Sequence, residues 1–174
     1  MNNDIILSPH FKLSEFLASE TARKYGIANV PPPEAVVNLR LLSLYTLEPL
    51  REALSLPIII SSGYRSRELN ELITHHSSSS QHVDGRASDF HVAPPTVNRE
   101  PRTMNPTPTR RELLIRAFRQ IITNDDIDFD QLIIYPTFIH VSYVSATANR
   151  HKLTRAFGNG KYCALTREEA LNLV

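Results

Sequence analysis

The sequence has few of the features that would place it in a specialised class of protein. It contains a single cysteine, Cys163, among 174 residues, which excludes an internal disulfide and gives no indication of an oxidising compartment. We expect Cys163 to pack as a small apolar side chain. A chain of this length can bury a hydrophobic core without cross-links, so we predict one domain spanning residues 1–174.

The chain also lacks an excess of charge of one sign and any long apolar run. Its 19 Lys and Arg residues nearly balance 18 Asp and Glu residues, so we expect neither nucleic acid nor a membrane as partner. No segment approaches the roughly 20 apolar residues that span a bilayer. The first residues, "MNNDIILSPHF", have no basic segment ahead of their short apolar run, which predicts cytoplasmic synthesis without a signal peptide. We expect a monomer.

Capping residues and apolar spacing predict several helices. Ser14 is expected to cap a helix that ends at Lys24, with Gly26 just beyond its end. Apolar residues at helical spacing predict an amphipathic helix over Glu34–Leu54, with a kink at Pro49. The remaining predicted helices are Ser66–Thr74, one from the capping box of Thr109 and Glu112 to about Ile122, and one from the capping box of Thr166 and Glu169.

Four segments are predicted to be strands, the first from its run of β-branched residues. They are Ile58–Ile60, Ala87–Val92, Gln131–Tyr135 and Phe138–Val144, the last two forming a hairpin. The proline-rich residues 93–108 are expected to form a surface loop. Because the helices come first and the strands are separated by unequal segments, we predict an α+β domain with a small, mostly antiparallel sheet flanked by helices.

Two histidines and an aspartate in these segments could form a metal site. His82 follows a serine run, Asp89 lies in the strand after it, and His140 lies in the late hairpin. Catalytic zinc sites usually take three ligands from histidine and carboxylate and leave the fourth position to water. His91 is a rival ligand or a supporting residue, because it lies two positions from Asp89 and therefore on the same strand face.

The pattern around His82 and Asp89 is more specific than their spacing alone. Residues 80–89 read Ser-x-His-x-x-Gly-x-Ala-x-Asp, and "FIHVSY" surrounds His140. With "ISSGYRSRELN" and "FDQLI", these segments resemble peptidase family M15, the zinc D-Ala-D-Ala carboxypeptidases, whose fold is shared with the hedgehog signalling domain. The resemblance implies a hedgehog/DD-peptidase-like fold and Zn²⁺ bound by His82, Asp89 and His140.

The same resemblance implies roles for two further residues. Ser80 of the motif is similar to a family serine that touches substrate, and Arg65 of "SGYRS" matches the residue that grips a substrate carboxylate or carbonyl group. A guanidinium suits this role because its planar fork matches a carboxylate.

The proton acceptor is the part of the family pattern that this sequence does not reproduce. Family members commonly carry a glutamate a few residues before the last histidine, whereas residues 134–137 here read "IYPT". A hairpin loop of two or four residues would place Ile133 opposite His140 and turn Gln131 and Tyr135 toward the metal. A three-residue loop would turn Asp130 toward it instead. Because Pro136 disfavours a two-residue turn, we expect the four-residue loop, with Tyr135 as oxyanion donor or weak proton relay, Gln131 as a substrate contact and Asp130 as the rival base.

These observations predict a zinc peptidase that cleaves bacterial cell-wall peptides next to a D-amino acid, as a carboxypeptidase or an endopeptidase. Without a signal peptide, a phage-lysin-like protein that reaches the wall after release is favoured over a secreted enzyme. One alternative is a zinc-binding structural or cell-wall-binding module of the same fold that has lost its base. Another is a metal-free α+β interaction domain.

Overall fold

A computed structural model describes residues 4–75, 80–94 and 108–173 of the chain. These residues form an α+β arrangement in which helices pack on a six-stranded mixed sheet. The helices are α1 Leu13–Leu17, α2 Glu20–Tyr25, α3 Pro33–Leu42, α4 Glu48–Leu54, α5 Arg67–Thr74, α6 Arg110–Thr123 and α7 Arg167–Leu171. The strands are β1 Ile6–Ser8, β2 Phe11–Lys12, β3 Ile58–Ser62, β4 Ala87–Val92, β5 Gln131–Ile134, β6 Ile139–Ser142, β7 Lys152–Ala156 and β8 Tyr162–Ala164.

The main sheet has the strand order β3-β4-β6-β5-β7-β8. The pairing of β5 with β7 is parallel, and the other pairings of this sheet are antiparallel. This confirms an α+β fold with a mostly antiparallel sheet. β1 and β2 form a separate two-stranded sheet, and neither they nor β7 and β8 were predicted from the sequence.

The helix expected over Ser14–Lys24 is two helices, α1 and α2. The hydroxyl of Ser19 accepts a hydrogen bond from the N–H of Ala22 at 3.2 Å, so a new helix begins there and the prediction of one continuous helix is wrong. Ser14 is not the cap, because it lies within α1 and donates to the carboxylate of Asp4. Gly26 ends α2 in the left-handed conformation with φ +68°, as predicted.

The long helix expected over Glu34–Leu54 is interrupted before Pro49. A π-helical turn, Ser43–Leu47, joins α3 to α4, and the N–H of Glu48 bonds the carbonyl of Ser43 five residues earlier. The wider turn precedes a proline that has no N–H to donate and whose ring would clash with a preceding carbonyl. The irregularity is therefore a bulge in the helix rather than a simple kink.

The hydrophobic core lies between the sheet and the helices. α6 packs on β4, β5 and α4, and its capping box of Thr109 and Glu112 is formed as predicted. α1 packs on the end of β3, where a Cβ on Gly63 would lie 2.6 Å from the Cβ of Phe16. The glycine thus allows α1 to approach the segment that carries Arg65.

Three further expectations concern the surface. Cys163 is exposed on β8, because its strand lies at the edge of the sheet, so its expected packing as a small apolar residue is wrong. No helix within the described ranges is long and apolar enough to cross a membrane. Most of the predicted surface loop, residues 95–107 of 93–108, lies outside the described residues.

Candidate metal centre

The register of the sheet brings Asp89 and His140 together. β4 pairs with β6 so that Asp89 lies directly opposite His140. Because directly opposite residues project from the same face of a sheet, their side chains meet, with Asp89 Oδ1 2.9 Å from His140 Nδ1. The two residues are far apart in sequence, so strand pairing alone creates this contact.

His82 reaches the same place from the loop between α5 and β4. Its backbone carbonyl accepts hydrogen bonds from the N–H groups of Arg65 and Gly85, both at 3.2 Å. Its ring Nδ1 lies 2.7 Å from the carbonyl oxygen of Gly63. Because a carbonyl can only accept, Nδ1 carries the proton and Nε2 presents its lone pair to the site.

The three ligand atoms have the spacing that a tetrahedral ion requires. His82 Nε2 lies 3.3 Å from His140 Nδ1 and 3.4 Å from Asp89 Oδ1, and His140 Nδ1 lies 2.9 Å from Asp89 Oδ1. Metal–ligand bonds of about 2.0–2.1 Å at tetrahedral angles separate ligand atoms by roughly 3.3 Å. Two imidazoles and one carboxylate are also a donor set that zinc accepts. The residues therefore fit a four-coordinate ion with one position left over.

His91 does not join this group. The metal-type cluster found among the described residues consists of His82, Asp89 and His140. His91 pairs with Ile59 in the sheet, and burial lowers its pKa with a smaller contribution from the positive charge of Arg110.

Burial and charge favour the protonation states that bind a metal. Burial lowers the pKa of His82, which favours the neutral imidazole. Burial alone would raise the pKa of Asp89, but His82 and His140 outweigh it and hold that pKa below its ordinary value. Without an ion, the Nδ1–H of His140 can donate to Asp89, so metal binding would move this proton to the other ring nitrogen or release it.

Arg65 holds the metal-binding carboxylate as well as lining the cleft. Its Nη2 donates to Asp89 Oδ2 at 2.8 Å, and its Nε donates to the hydroxyl of Ser62 at 2.9 Å. These contacts leave Oδ1 of Asp89 for the metal. Only 12% of the Arg65 side chain is exposed, so its predicted contact with substrate would use the remaining Nη1 group.

The hairpin has the four-residue loop that was preferred from the sequence. Ile133 lies opposite His140, and the N–H of Tyr135 donates to the carbonyl of Phe138 at 2.9 Å across residues 135–138. Tyr135 consequently lines the cleft, with its ring stacked on Phe138 and its hydroxyl 3.3 Å from that of Tyr162. Burial and the hydrogen bond with Tyr162 raise the pKa of Tyr135, so its hydroxyl is a donor rather than a base.

Asp130 is fully engaged behind the cleft wall. Arg150 donates to it through Nε at 2.8 Å and Nη2 at 2.5 Å, and Gln81 donates at 2.8 Å. These hydrogen bonds, chiefly those of Arg150, lower the pKa of Asp130 to about 2. A carboxylate so stabilised is a poor proton acceptor at neutral pH, which argues against Asp130 as the rival base.

The site residues surround one cleft of about 660 Å³, a volume typical of small-ligand sites. It is lined by the three ligands together with Arg65, Ser80, Gln131 and Tyr135, and also by Gln81, Ile133, Phe138 and Arg150. Gln81, Phe138 and Arg150 were not predicted as site residues. Only Gln81 had a local signal, as the neighbour of His82. Within the described part of the chain, the cleft wall contains one carboxylate, that of Asp89.

Comparison with known protein families finds a match over much of the chain. A sequence model of the family described as Peptidase M15 matches residues 9–123, and no curated protein matches the chain. The matched segment contains Arg65, Ser80, His82 and Asp89. His140 lies beyond it, so the pairing of β4 with β6 is what connects the third ligand to the matched part.

Proposed function

Since the chain belongs to the peptidase M15 family, we propose that it is a zinc-dependent peptidase that cleaves bacterial cell-wall peptides next to a D-amino acid. The family assignment makes the chain a peptidase of the metallopeptidase type. The choice of zinc is supported chiefly by the two imidazoles and one carboxylate at tetrahedral spacing beside an open cleft. We also propose that the fold is that of the hedgehog/DD-peptidase domains.

The chain would contribute an ordered ligand set and hydrogen-bond donors. Bound zinc would supply a Lewis acid and an activated water. Gly63 and Arg65 orient two ligands, through Nδ1 of His82 and Oδ2 of Asp89. Arg65 and Tyr135 line the cleft, and Nη1 of Arg65 and the hydroxyl of Tyr135 would donate to the peptide carbonyl as it gains negative charge.

The substrate class rests on the family resemblance and on the donors of the cleft. Ser80 and Gln131 line it and can hydrogen-bond a peptide backbone, and Arg65 can bind a carbonyl or carboxylate oxygen. Both a carboxypeptidase and an endopeptidase reaction are compatible with these contacts. We propose that the protein acts as a monomer on the wall after release from the cell, in the manner of a phage lysin.

Among the described residues no carboxylate is available as the base, which favours a second candidate. In the ranges that the structure describes, Asp89 is the one carboxylate that lines the cleft, and it belongs to the ligand set. Asp130 is hydrogen-bonded to Arg150. A protein of this kind could bind zinc and a cell-wall peptide without turning it over. This second candidate is a zinc-stabilised cell-wall-binding module of the same fold.

One experiment separates the two candidates. Zinc-loaded protein is incubated with peptidoglycan or with a peptide ending in D-Ala-D-Ala, and release of amine is measured beside the zinc content. We expect release in the wild type, loss of both zinc and release in His82→Ala, and strongly reduced release in Arg65→Ala. The matched control is His91→Ala, which changes a histidine on β4, the strand of Asp89, but outside the ligand set. Stoichiometric zinc without amine release would support the binding module, and absence of zinc would refute both.

A further inference from the structure

The cleft contains a second arginine whose position is fixed from behind by a buried charge. Asp130 has no exposed surface, and its carboxylate accepts hydrogen bonds from the backbone N–H, Nε and Nη2 of Arg150. Gln81 donates to the same carboxylate at 2.8 Å. An isolated buried carboxylate is strongly unfavourable, so these contacts tie the ionised form of Asp130 to one position of the guanidinium.

The Arg150 side chain also reaches the metal cleft. The Arg150 side chain is 58% exposed and lines the same cleft as the three ligands. Because Nε and Nη2 bind Asp130, the Nη1 group keeps two N–H donors that have no hydrogen-bond partner among the described residues. Arg150 therefore combines a fixed position with unused donors.

Arg65 is less available for the same task. Its side chain is 12% exposed, and it already bonds Asp89 and Ser62. Of the two guanidinium groups in the cleft, that of Arg150 is the one with greater access to a ligand. Asp130 neutralises part of its charge, but charge-assisted hydrogen bonds from a preorganised guanidinium still favour a carboxylate over a neutral carbonyl.

We propose that Arg150, held by Asp130 and Gln81, binds a carboxylate group of the peptide substrate and selects peptides that carry one. This inference rests on the proposed function, because it assumes that the cleft binds peptides. The carboxylate could be the C-terminal one, as in a carboxypeptidase substrate, or one on an internal residue, as in an endopeptidase substrate. The two sources share their chemistry and can be distinguished with defined peptides.

The test measures binding rather than turnover. Zinc-loaded protein is titrated by calorimetry with peptides whose scissile amide is replaced by a reduced CH₂–NH bond, so that they cannot be hydrolysed. One pair of peptides differs by a free or amidated C-terminus, and a second pair by a free or amidated internal carboxyl group. We expect wild-type protein to bind the acid of one pair about 10- to 100-fold more tightly than its amide. The pair that shows the preference identifies the source of the carboxylate.

The variants assign the preference to Arg150. We expect Arg150→Met to abolish it and Arg150→Lys to retain only part of it, because lysine keeps the charge but lacks the fork. Asp130→Asn combined with Arg150→Met removes the buried charge together with its partner, and serves if the single variant does not fold. Arg155→Met is the control, since Arg155 lies on β7, shortly after Arg150 in the chain, but does not line the cleft.

The outcomes separate this inference from the proposed function. A wild type that binds acid and amide equally, or a preference that survives loss of Arg150, would overturn the assignment of Arg150 even if natural peptides are cleaved. A preference lost with Arg150 in a protein that releases no amine would uphold the assignment and reject the peptidase function.

Discussion

Replacement of Gly85 by alanine should disturb the metal centre through the backbone of the loop that carries His82. Gly85 has φ +68°, a left-handed conformation that costs a residue with a side chain about 1 kcal/mol. An added Cβ would also lie 2.4 Å from the carbonyl oxygen of Ala35 in α3. Displacing packed backbone of this kind costs roughly 1–3 kcal/mol. We therefore expect Gly85→Ala to lower the free energy of unfolding by about 2–4 kcal/mol.

A matched variant isolates the collision from the backbone strain. Gly26 has the same φ of +68°, but a Cβ added there would meet nothing within 4 Å. Gly26→Ala should therefore cost only about 1 kcal/mol. Urea unfolding of both variants beside the wild type measures the two losses, and their difference is the cost of moving the loop away from Ala35.

The same variants test how the loop supports metal binding. The N–H of Gly85 donates to the carbonyl of His82 at 3.2 Å, so a shift of one should displace the other. We expect the zinc affinity of Gly85→Ala to fall by about 10-fold or more, as for other supporting contacts of metal ligands, and that of Gly26→Ala to stay unchanged. A Gly85→Ala protein as stable as Gly26→Ala, with wild-type zinc affinity, would refute the reasoning.

Two further predictions concern Asp130 and Tyr135. Because the folded pKa of Asp130 is about 2, below its ordinary 3.8, its ionised form contributes stability above about pH 4 that is lost as the pH falls toward 2. That contribution is about 2 kcal/mol, so Asp130→Asn should lower the free energy of unfolding at pH 7 and weaken its dependence on pH between about 4 and 2. An unchanged dependence on pH would contradict the prediction. If the protein is a peptidase, Tyr135→Phe should reduce kcat by about 100-fold through loss of an oxyanion donor, with zinc affinity unchanged. Tyr162→Phe is the control for the neighbouring hydroxyl, and equal effects of the two variants would reject a direct role for Tyr135.

Local patterns in the sequence were sufficient for the elements that carry two of the ligands. β4 spans Ala87–Val92 as predicted, and five of its six residues are buried. The Ser-x-His-x-x-Gly-x-Ala-x-Asp pattern identified His82 and Asp89, and its glycine occupies the position with positive φ. The four-residue loop preferred from the sequence also gave the correct hairpin register, with Ile133 opposite His140.

The break between α1 and α2 follows from the cap by Ser19, and the bulge lies next to Pro49; both are local features that apolar spacing alone did not resolve. Other features depended on contacts that no local pattern encodes. The sequence left open which face of the sheet the Asp130 side chain would take. Its hydrogen bonds with Arg150 depend on the parallel pairing of β5 with β7, which places the two residues side by side. The pairing partner of a strand is set by long-range packing, so the arginine in the cleft had no signal in the sequence.

The sequence by itself determined the α+β class, the chemistry of the ligands and the lack of a glutamate before His140. Short-range spacing carries this information, because helix caps, strand alternation and turn residues act over a few positions. The tertiary structure decided that the three ligand atoms lie 2.9–3.4 Å from one another, that Asp130 is hydrogen-bonded to Arg150, and that Arg150 lines the cleft. These facts depend on which strands pair and in which register. The pairing is selected by burial of the hydrophobic core, to which residues far apart in the sequence contribute.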